Sequence, residues 1–236
     1  MSAAVTAAPT IGQPSIDQSS LPALRLGLAP AVADAAAFDG WSDTAVRAAA
    51  AARGVNPDSA VYAFGSGAPS GGPMALIEAW VHSVDAAMVA ALPPEALGPL
   101  KIRERIRRLV QYRLDAVAHQ KEALRRALAI MAMPQNVSRS VQLGWHSADA
   151  MWRLAGDTAT DYNHYTKRLT LGSIYAATLA VYVGDTSAGH ADTRAFLERR
   201  IDGIMRFEKA KARLLRPRDE QFSPARLLGR LRYPAR

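Results

Sequence analysis

Apolar residues recur every three or four positions along most of the chain, which is the spacing of amphipathic helices. Alanine is abundant and alternating runs of β-branched residues are missing, so local propensity favours helix over strand. The pattern predicts an all-α protein. The predicted helices cover residues 21–37, with a break or bend at Pro30, and residues 43–53, 58–63, 74–92, 95–117, 119–133, 134–154, 162–183 and 188–215.

Glycine and proline divide these helices into two groups. The Gly-rich stretch before position 73 separates the first three helices from the other six. Residues 21–72 are predicted to form a helix-turn-helix-like three-helix module, and residues 73–215 a helical bundle. Residues 1–20 are predicted to be a disordered tail, and residues 216–236 a basic amphipathic tail.

The composition limits the class of protein. The chain has 236 residues, of which 49% are hydrophobic, and it contains no cysteine, which excludes disulfides and thiolate chemistry. Because Glu78 and Asp85 interrupt the longest apolar stretches, no helix is expected to span a membrane. The first twenty residues contain no Lys or Arg and so do not resemble a presequence, which favours the bacterial cytoplasm.

The net charge of +8 is distributed unevenly. The first 100 residues contain three arginines against eight acidic residues, whereas the remainder contains 26 basic and 13 acidic residues. A protein that reads DNA needs cations on its recognition helix and around it, but there is no Lys or Arg from Gly54 to Leu100. The helix-turn-helix-like module is therefore predicted not to bind nucleic acid.

The C-terminal tail is the most basic part of the chain. Leu227, Leu228 and Leu231 share one side of a short predicted helix, while Arg226 and Arg230 fall elsewhere. Such a helix gains stability when its leucines enter an interface, and each nearby cation contributes on the order of 1 kcal/mol at an anionic membrane. These five residues are the predicted membrane contacts. A solvated basic tail is the alternative interpretation.

The polar residues do not form the pattern of a catalytic or metal site. A di-iron bundle needs two Glu-x-x-His elements, but the nearest patterns are Glu78-Ala-Trp-Val-His82 and Asp161-Tyr-Asn-His164. The sequence has no nucleophile elbow, Walker loop or dinucleotide fingerprint. We therefore predict that the protein is not an enzyme and uses no metal or other cofactor.

Large apolar side chains are concentrated between positions 131 and 175. Helical bundles hold ligands between their helices, and flexible methionine beside aromatic rings suits an elongated apolar guest. The spacing alone does not separate this interpretation from ordinary core packing. The predicted lipid-binding residues are Met131, Trp145, Trp152, Leu171 and Tyr175.

The segment from Met151 to Arg168 combines a helix end at Gly156, an Asp/Thr-rich turn and a cluster of polar and aromatic residues. Here the sequence resembles the Coq-nine family, the TetR-like lipid-binding accessory proteins of ubiquinone biosynthesis. The resemblance is carried by Trp152, Ala155-Gly156-Asp157, Tyr165-Thr166-Lys167-Arg168, Phe196-Leu197 and Arg200-Ile201, and more loosely by Phe38-Asp39-Gly40-Trp41-Ser42 and Lys101-Ile102-Arg103-Glu104-Arg105-Ile106.

The resemblance implies a TetR-like fold whose bundle holds an isoprenoid quinone or other lipid. It also implies a homodimer that associates with an anionic membrane surface and presents quinone intermediates to the di-iron demethoxyubiquinone hydroxylase. The family's partner-binding residues fall on Met151, Leu154, Asp161, His164, Tyr165 and Arg168. The chain departs from the family at His164 and Arg194, where tryptophan is expected.

Three hypotheses follow. The leading one is a non-catalytic lipid-binding accessory protein, peripheral on the inner face of a bacterial inner membrane. The second is a TetR-type ligand-responsive transcriptional regulator, which requires specific duplex binding despite the acidic module. The third is a hydroxylase or other enzyme, which requires stoichiometric iron or another cofactor.

Overall fold

The computed structural model describes residues 16–17, 20–65, 67, 71–157 and 162–214. Within these ranges the chain forms α-helices joined by short turns and contains no strand, so the predicted all-α class is confirmed. The helices are α1 (Leu21–Asp39), α2 (Asp43–Ala52), α3 (Pro57–Ala63), α4 (Pro73–Ala91), α5 (Pro94–Leu97), α6 (Ile102–Ala116), α7 (Lys121–Met131), α8 (Val137–Leu154), α9 (Tyr162–Gly184) and α10 (Ala191–Leu214).

Side-chain caps fix the starts of the two helices that follow α1. The Ser42 hydroxyl accepts the N–H of Ala45 at the start of α2. At the start of α3, Asn56 Oδ1 accepts the N–H groups of Asp58 and Ser59, each at 3.0 Å. Each cap satisfies backbone donors that have no partner within the helix, which is why these boundaries follow from the sequence.

One predicted helix, over residues 95–117, is wrong, because the structure divides it into α5 and α6. Pro99 has no N–H and cannot continue the hydrogen-bonding pattern of α5. Lys101 is then extended, with ψ near 151°, and its N–H donates to Glu104 Oε2 at 3.4 Å. This contact begins α6 as a separate helix.

The helix-turn-helix-like module, α1 to α3, is joined to the bundle by a buried aromatic and amide contact. Trp41 packs on Trp80 of α4 with ring centroids 5.3 Å apart. Trp80 Nε1 donates to Gln120 Oε1 at 2.9 Å, and Gln120 Nε2 donates to the carbonyl oxygen of Pro30 at 3.0 Å and to Asp34 Oδ1 at 2.6 Å. The helix α1 continues through Pro30 without interruption.

By length and composition, α1 and α4 are each long and apolar enough to cross a membrane, although none was expected. Both helices are packed into the core, where Leu28 and Val32 of α1 and Ile77 and Met88 of α4 are fully buried. Because core helices of this length meet the same criterion, this finding is weak evidence for a membrane span.

Asp185 organises the turn between α9 and α10. Its two carboxylate oxygens accept the N–H and hydroxyl groups of Ser187, at 2.8 and 2.6 Å, and of Thr193, at 2.9 and 2.5 Å. These hydrogen bonds hold the pKa of the Asp185 carboxyl well below its ordinary value of 3.8. Lys121 Nζ donates to the backbone carbonyl of Asp185 at 2.5 Å and attaches the turn to α7.

Replacement of this carboxylate tests its role in the turn. Asp185→Asn exchanges one acceptor oxygen for a donor, so we expect a lower urea midpoint than that of the wild type at pH 7. A depressed folded-state pKa contributes stability above the ordinary pKa of 3.8, and this contribution is lost as the pH falls below that value. The difference in midpoint should therefore shrink between about pH 5 and pH 2.

The control for this measurement is Asp192→Asn, which changes an exposed carboxylate in the first turn of α10. Circular dichroism should give this variant a midpoint closer to that of the wild type, because an exposed carboxylate in the first turn contributes less than about 1 kcal/mol through the helix dipole. Equal midpoints for Asp185→Asn and wild type at pH 7 would contradict the role assigned to Asp185.

Candidate ligand cavity

An apolar cavity of about 410 Å³ lies between α4, α6, α7, α8 and α9. Its wall includes Trp80 of α4, Leu128 and Met131 of α7, Trp145 of α8 and Tyr175 of α9. The volume falls within the range of small-molecule sites, roughly 300 to 1,000 Å³. The cavity is therefore large enough to hold a ligand.

The mouth of the cavity is also apolar. Val137 and Val141 of α8 and Leu169 of α9 line the cavity and are largely exposed, Leu169 to 67%. Exposed apolar side chains grouped in this way mark ligand entry or an interaction surface. A hydrophobic guest can thus enter or leave along a continuous apolar path.

The inner wall contains a buried ion pair. Arg113 of α6 pairs through Nη1 with Asp85 Oδ1 of α4, and its Nη2 donates to the Ser147 hydroxyl of α8 at 3.2 Å. Ser147 in turn donates to Asp85 Oδ2 at 3.1 Å. The guanidinium carbon lies 4.9 Å from the centre of the Tyr175 ring. Four helices of the wall therefore meet at one polar cluster.

Two glycines leave space where α8 and α9 cross. A Cβ on Gly172 would lie 3.8 Å from the carbonyl oxygen of Gly144, which is ordinary contact. A Cβ on Gly144 would meet no atom within 4 Å, and Gly144 lines the cavity. A Cβ added at Gly144 would therefore enter open space at the cavity wall.

Arg168 of α9 is buried at the end of the α8–α9 hairpin. Its Nε donates to Asp149 Oδ1 at 2.6 Å, and its Nη1 donates to Asp157 Oδ2 and the His164 carbonyl oxygen, both at 3.1 Å. Lys167 Nζ pairs with the other Asp157 oxygen at 2.7 Å. The acidic turn after α8 is thereby fixed to α9.

The segment that contains α8, α9 and most of α10 matches a known family. Residues 137–208 match the family model described as COQ9. The chain contains a COQ9 domain. This finding confirms the family that the sequence motifs predicted, and it assigns two of the five cavity helices, α8 and α9, to the COQ9 domain.

Curated relatives support the same family. The rat protein is 40% identical over 100 residues, which are 42% of this chain and 32% of the rat protein. The human protein is 39% identical over 100 residues, which are 42% of this chain and 31% of the human protein. Both are named ubiquinone biosynthesis protein COQ9, mitochondrial. The chain spans about a third of the length of these relatives.

Among solved structures, the chain is similar to the TetR transcriptional regulator from Nitrosomonas europaea ATCC 19718. The TM-score is 0.58 at 22% identity, and the match covers 76% of this chain and 96% of the regulator. At this identity the likeness shows the fold alone. The predicted TetR-like arrangement of helices is confirmed.

Three of the five predicted lipid-binding residues, Met131, Trp145 and Tyr175, line the cavity. Trp152 and Leu171 are not in its wall. Leu171 is buried in the core, beside the stripe of α9 that faces the cavity. Trp152 is half-buried, and its Nε1 donates to the Lys167 carbonyl oxygen at 3.0 Å. Both residues pack the COQ9 domain.

Some of the predicted partner-binding residues are buried, and others are accessible to a partner. Met151 has no exposed surface and the Arg168 side chain is 2% exposed, so neither presents a contact surface to a partner. Met151 belongs to the core, and Arg168 is held by its two carboxylates. Leu154 is half-buried at the end of α8.

Aromatic rings lie beside the mouth. Tyr165 is 61% exposed, and its ring centroid is 5.2 Å from that of His164 and 6.0 Å from that of Trp145. His164 is half-buried. Asp161 lies outside the described residues, as do the predicted membrane contacts. Those membrane contacts are Arg226, Leu227, Leu228, Arg230 and Leu231.

Sequence reasoning missed Trp80 and Arg113, which the structure brings to the cavity wall. Both precede the apolar segment on which the prediction rested. A signal for Arg113 was present, because it follows Leu109 and Val110 at helical spacing and therefore lies on the apolar stripe of α6. A cation at such a position indicates a buried and paired charge.

Filling the cavity from Gly144 tests whether it binds apolar molecules. Gly144→Leu places its Cβ in open space at the cavity wall and removes a helical glycine, so we expect stability to be unchanged or raised by up to about 1 kcal/mol. The fluorescence of diphenylhexatriene added to the protein should fall at least severalfold. Gly203→Leu, whose Cβ also meets no atom within 4 Å, is the matched control on α10. Undiminished probe binding in Gly144→Leu would show that the probe binds elsewhere.

Two arginines that share Asp149 provide a matched test of burial. Arg168→Ala removes the buried cation that joins Asp149 and Asp157 and leaves each carboxylate with one partner that is more exposed, Arg153 or Lys167, so we expect a loss of about 3 kcal/mol in the free energy of unfolding. Arg153 pairs with the same Asp149 at 2.7 Å but is 73% exposed, so Arg153→Ala should cost less than about 1 kcal/mol. Urea unfolding compares them, and equal losses would contradict the structural role of Arg168.

Proposed function

We propose that this chain is a non-catalytic lipid-binding accessory protein of ubiquinone biosynthesis, which takes up isoprenoid quinone intermediates. The observation that carries the proposal is the apolar cavity with its apolar mouth, formed in part by the COQ9 domain. Relatives of this domain are named ubiquinone biosynthesis proteins. A hydrophobic cavity in such a protein suits an intermediate that is sparingly soluble in water.

The size of the cavity limits what it holds. An engineered cavity of about 150 Å³ accommodates one benzene molecule, so about 410 Å³ corresponds to two or three groups of that size. A substituted ring with the first part of an isoprenoid chain fits this volume. The rest of a long chain would pass the mouth, where Val141 and Leu169 offer apolar contacts.

We propose that the di-iron demethoxyubiquinone hydroxylase docks beside the mouth. Leu154, His164 and Tyr165 are the accessible members of the predicted partner-binding set. Tyr165 contacts Trp145, which lines the cavity, so a protein bound to Tyr165 would lie close to the ligand. Met151 and Arg168 are buried and would hold in place the two helices that carry this surface.

The proposal includes membrane association and a homodimer. The basic tail would hold the protein on an anionic membrane surface, at the inner face of a bacterial inner membrane, through Leu227, Leu228 and Leu231. Vesicle flotation tests the tail, since replacement of these three leucines by serine should reduce binding to anionic vesicles.

The lipid-binding role is favoured over the two alternatives. The titratable side chains that line the cavity are Arg113, Arg168 and Tyr175, and both arginines are paired with carboxylates, so the described residues of the wall offer no unpaired carboxylate or imidazole as a general base. The acidic helix-turn-helix-like module also opposes contact with DNA phosphates. Specific duplex binding in a gel shift would instead support a regulator.

Mass spectrometry of lipids extracted from the purified protein tests the proposed function. We expect isoprenoid quinone precursors to be enriched in the wild type and in Gly203→Leu, and to be reduced at least severalfold in Gly144→Leu. Enrichment that survives in Gly144→Leu would place the lipid outside the cavity. No enrichment over an unrelated helical protein would overturn the proposal.

A further inference from the structure

Exposed apolar side chains are grouped where α7 ends and α8 begins, on one side of the cavity mouth. Val137 and Val141 lie one turn apart on α8, and Met133 precedes them by the same spacing in the turn after α7. These three side chains, which we call the apolar rim, are 42% to 64% exposed. Grouped apolar side chains in contact with water mark an interaction surface.

The surroundings of the rim are basic. Residues 121–148, which include the rim, contain four basic residues and one acidic residue, Glu122. Arg125 and Arg126 of α7 share that one carboxylate, whereas Arg139 of α8 forms a neutral pair with a carboxylate of α4. An excess of positive charge therefore remains beside the rim. It favours an anionic surface as the partner of this part of the chain.

A guest of the cavity passes the rim, because Val137 and Val141 line the cavity as well as its mouth. Under the proposed function, this guest is dissolved in a bilayer before the protein binds it. If the rim faced water, the isoprenoid chain would be exposed to water during transfer, which is unfavourable in proportion to its apolar area. A rim in contact with the bilayer removes this barrier.

The proposed docking surface for the hydroxylase lies towards the other end of α8. Its aromatic residues, His164 and Tyr165, suit a protein interface, in which aromatic side chains often contribute most of the binding energy. Val137 and Leu154 are separated by the length of α8, about 25 Å. A bilayer at the rim therefore leaves the docking surface accessible to the enzyme.

We infer that the apolar rim inserts into the interfacial layer of an anionic lipid bilayer, so that the cavity opens towards the membrane from which it takes its guest. This inference rests on the proposed function and adds a membrane contact that is separate from the basic tail. The rim has no carboxylate that would oppose its insertion, and the excess cation of α7 would meet lipid phosphates.

Fluorescent labelling of the rim tests its insertion. The sequence contains no cysteine, so Met133→Cys supplies a single thiol for a nitrobenzoxadiazole label at a position that does not line the cavity. On vesicles of equal parts phosphatidylglycerol and phosphatidylcholine, we expect the label's emission to rise severalfold and to be quenched by spin-labelled acyl chains. Leu26→Cys in the helix-turn-helix-like module is the matched control, since Leu26 is 40% and Met133 42% exposed. Its label should stay in water.

A carboxylate placed in the rim tests the same contact without a label. Met133→Glu should weaken binding to these vesicles about fivefold or more, because an anionic surface repels the added charge and the apolar contact is lost. The fluorescence of diphenylhexatriene in the cavity should not change, since Met133 is not in the cavity wall. Leu26→Glu adds the same charge to the module and should weaken vesicle binding far less.

The outcomes separate this inference from the proposed function. If the protein binds vesicles and diphenylhexatriene while the Met133 label stays in water, the inference is overturned and the lipid-binding function stands. Emission that rises with protein concentration in the absence of vesicles would also overturn it, since a second copy of the chain would then cover the rim. If the wild type binds neither vesicles nor diphenylhexatriene, both proposals fail.

Discussion

The cavity depends on the ion pair between Asp85 and Arg113. A charge inside an apolar bundle is tolerated only when a partner of opposite charge lies close to it, because the loss of hydration is otherwise too costly. This requirement fixes the position of α4 relative to α6. The contacts of Arg113 with Ser147 and Tyr175 also hold α8 and α9 to this pair. The helices are thus held at set distances even though the space between them is not filled by side chains.

Local patterns predicted most of the helices, because periodicity, caps and Gly/Pro breaks act within a few residues. The starts of α2 and α3 follow from Ser42 and Asn56, whose side chains cap them. The error over residues 95–117 arose where a continuous apolar pattern outweighed a single proline. Pairings between distant helices could not be predicted, since nothing local links Glu78 to Arg139 or Asp85 to Arg113.

The candidate site was predicted only in part for the same reason. Apolar composition identified Met131, Trp145 and Tyr175, but composition does not say which side of a helix faces a cavity and which faces the core. Leu171 was predicted to bind lipid on its composition, but its side chain is buried in the core. The family motif from Met151 to Arg168 contains buried positions that hold the hairpin together as well as exposed ones, so a motif residue is not necessarily a contact residue.

Trp80 belongs to two parts of the molecule at once. One side of its indole contacts Trp41 at the joint with the helix-turn-helix-like module, and the residue also forms part of the cavity wall. Close-packed protein interiors have little free space, so a displacement of the Trp80 indole would be passed on to the side chains that it contacts. A guest that packs against this indole would therefore also press on its contact with Trp41, so occupancy of the cavity and packing of the helix-turn-helix-like module share one side chain.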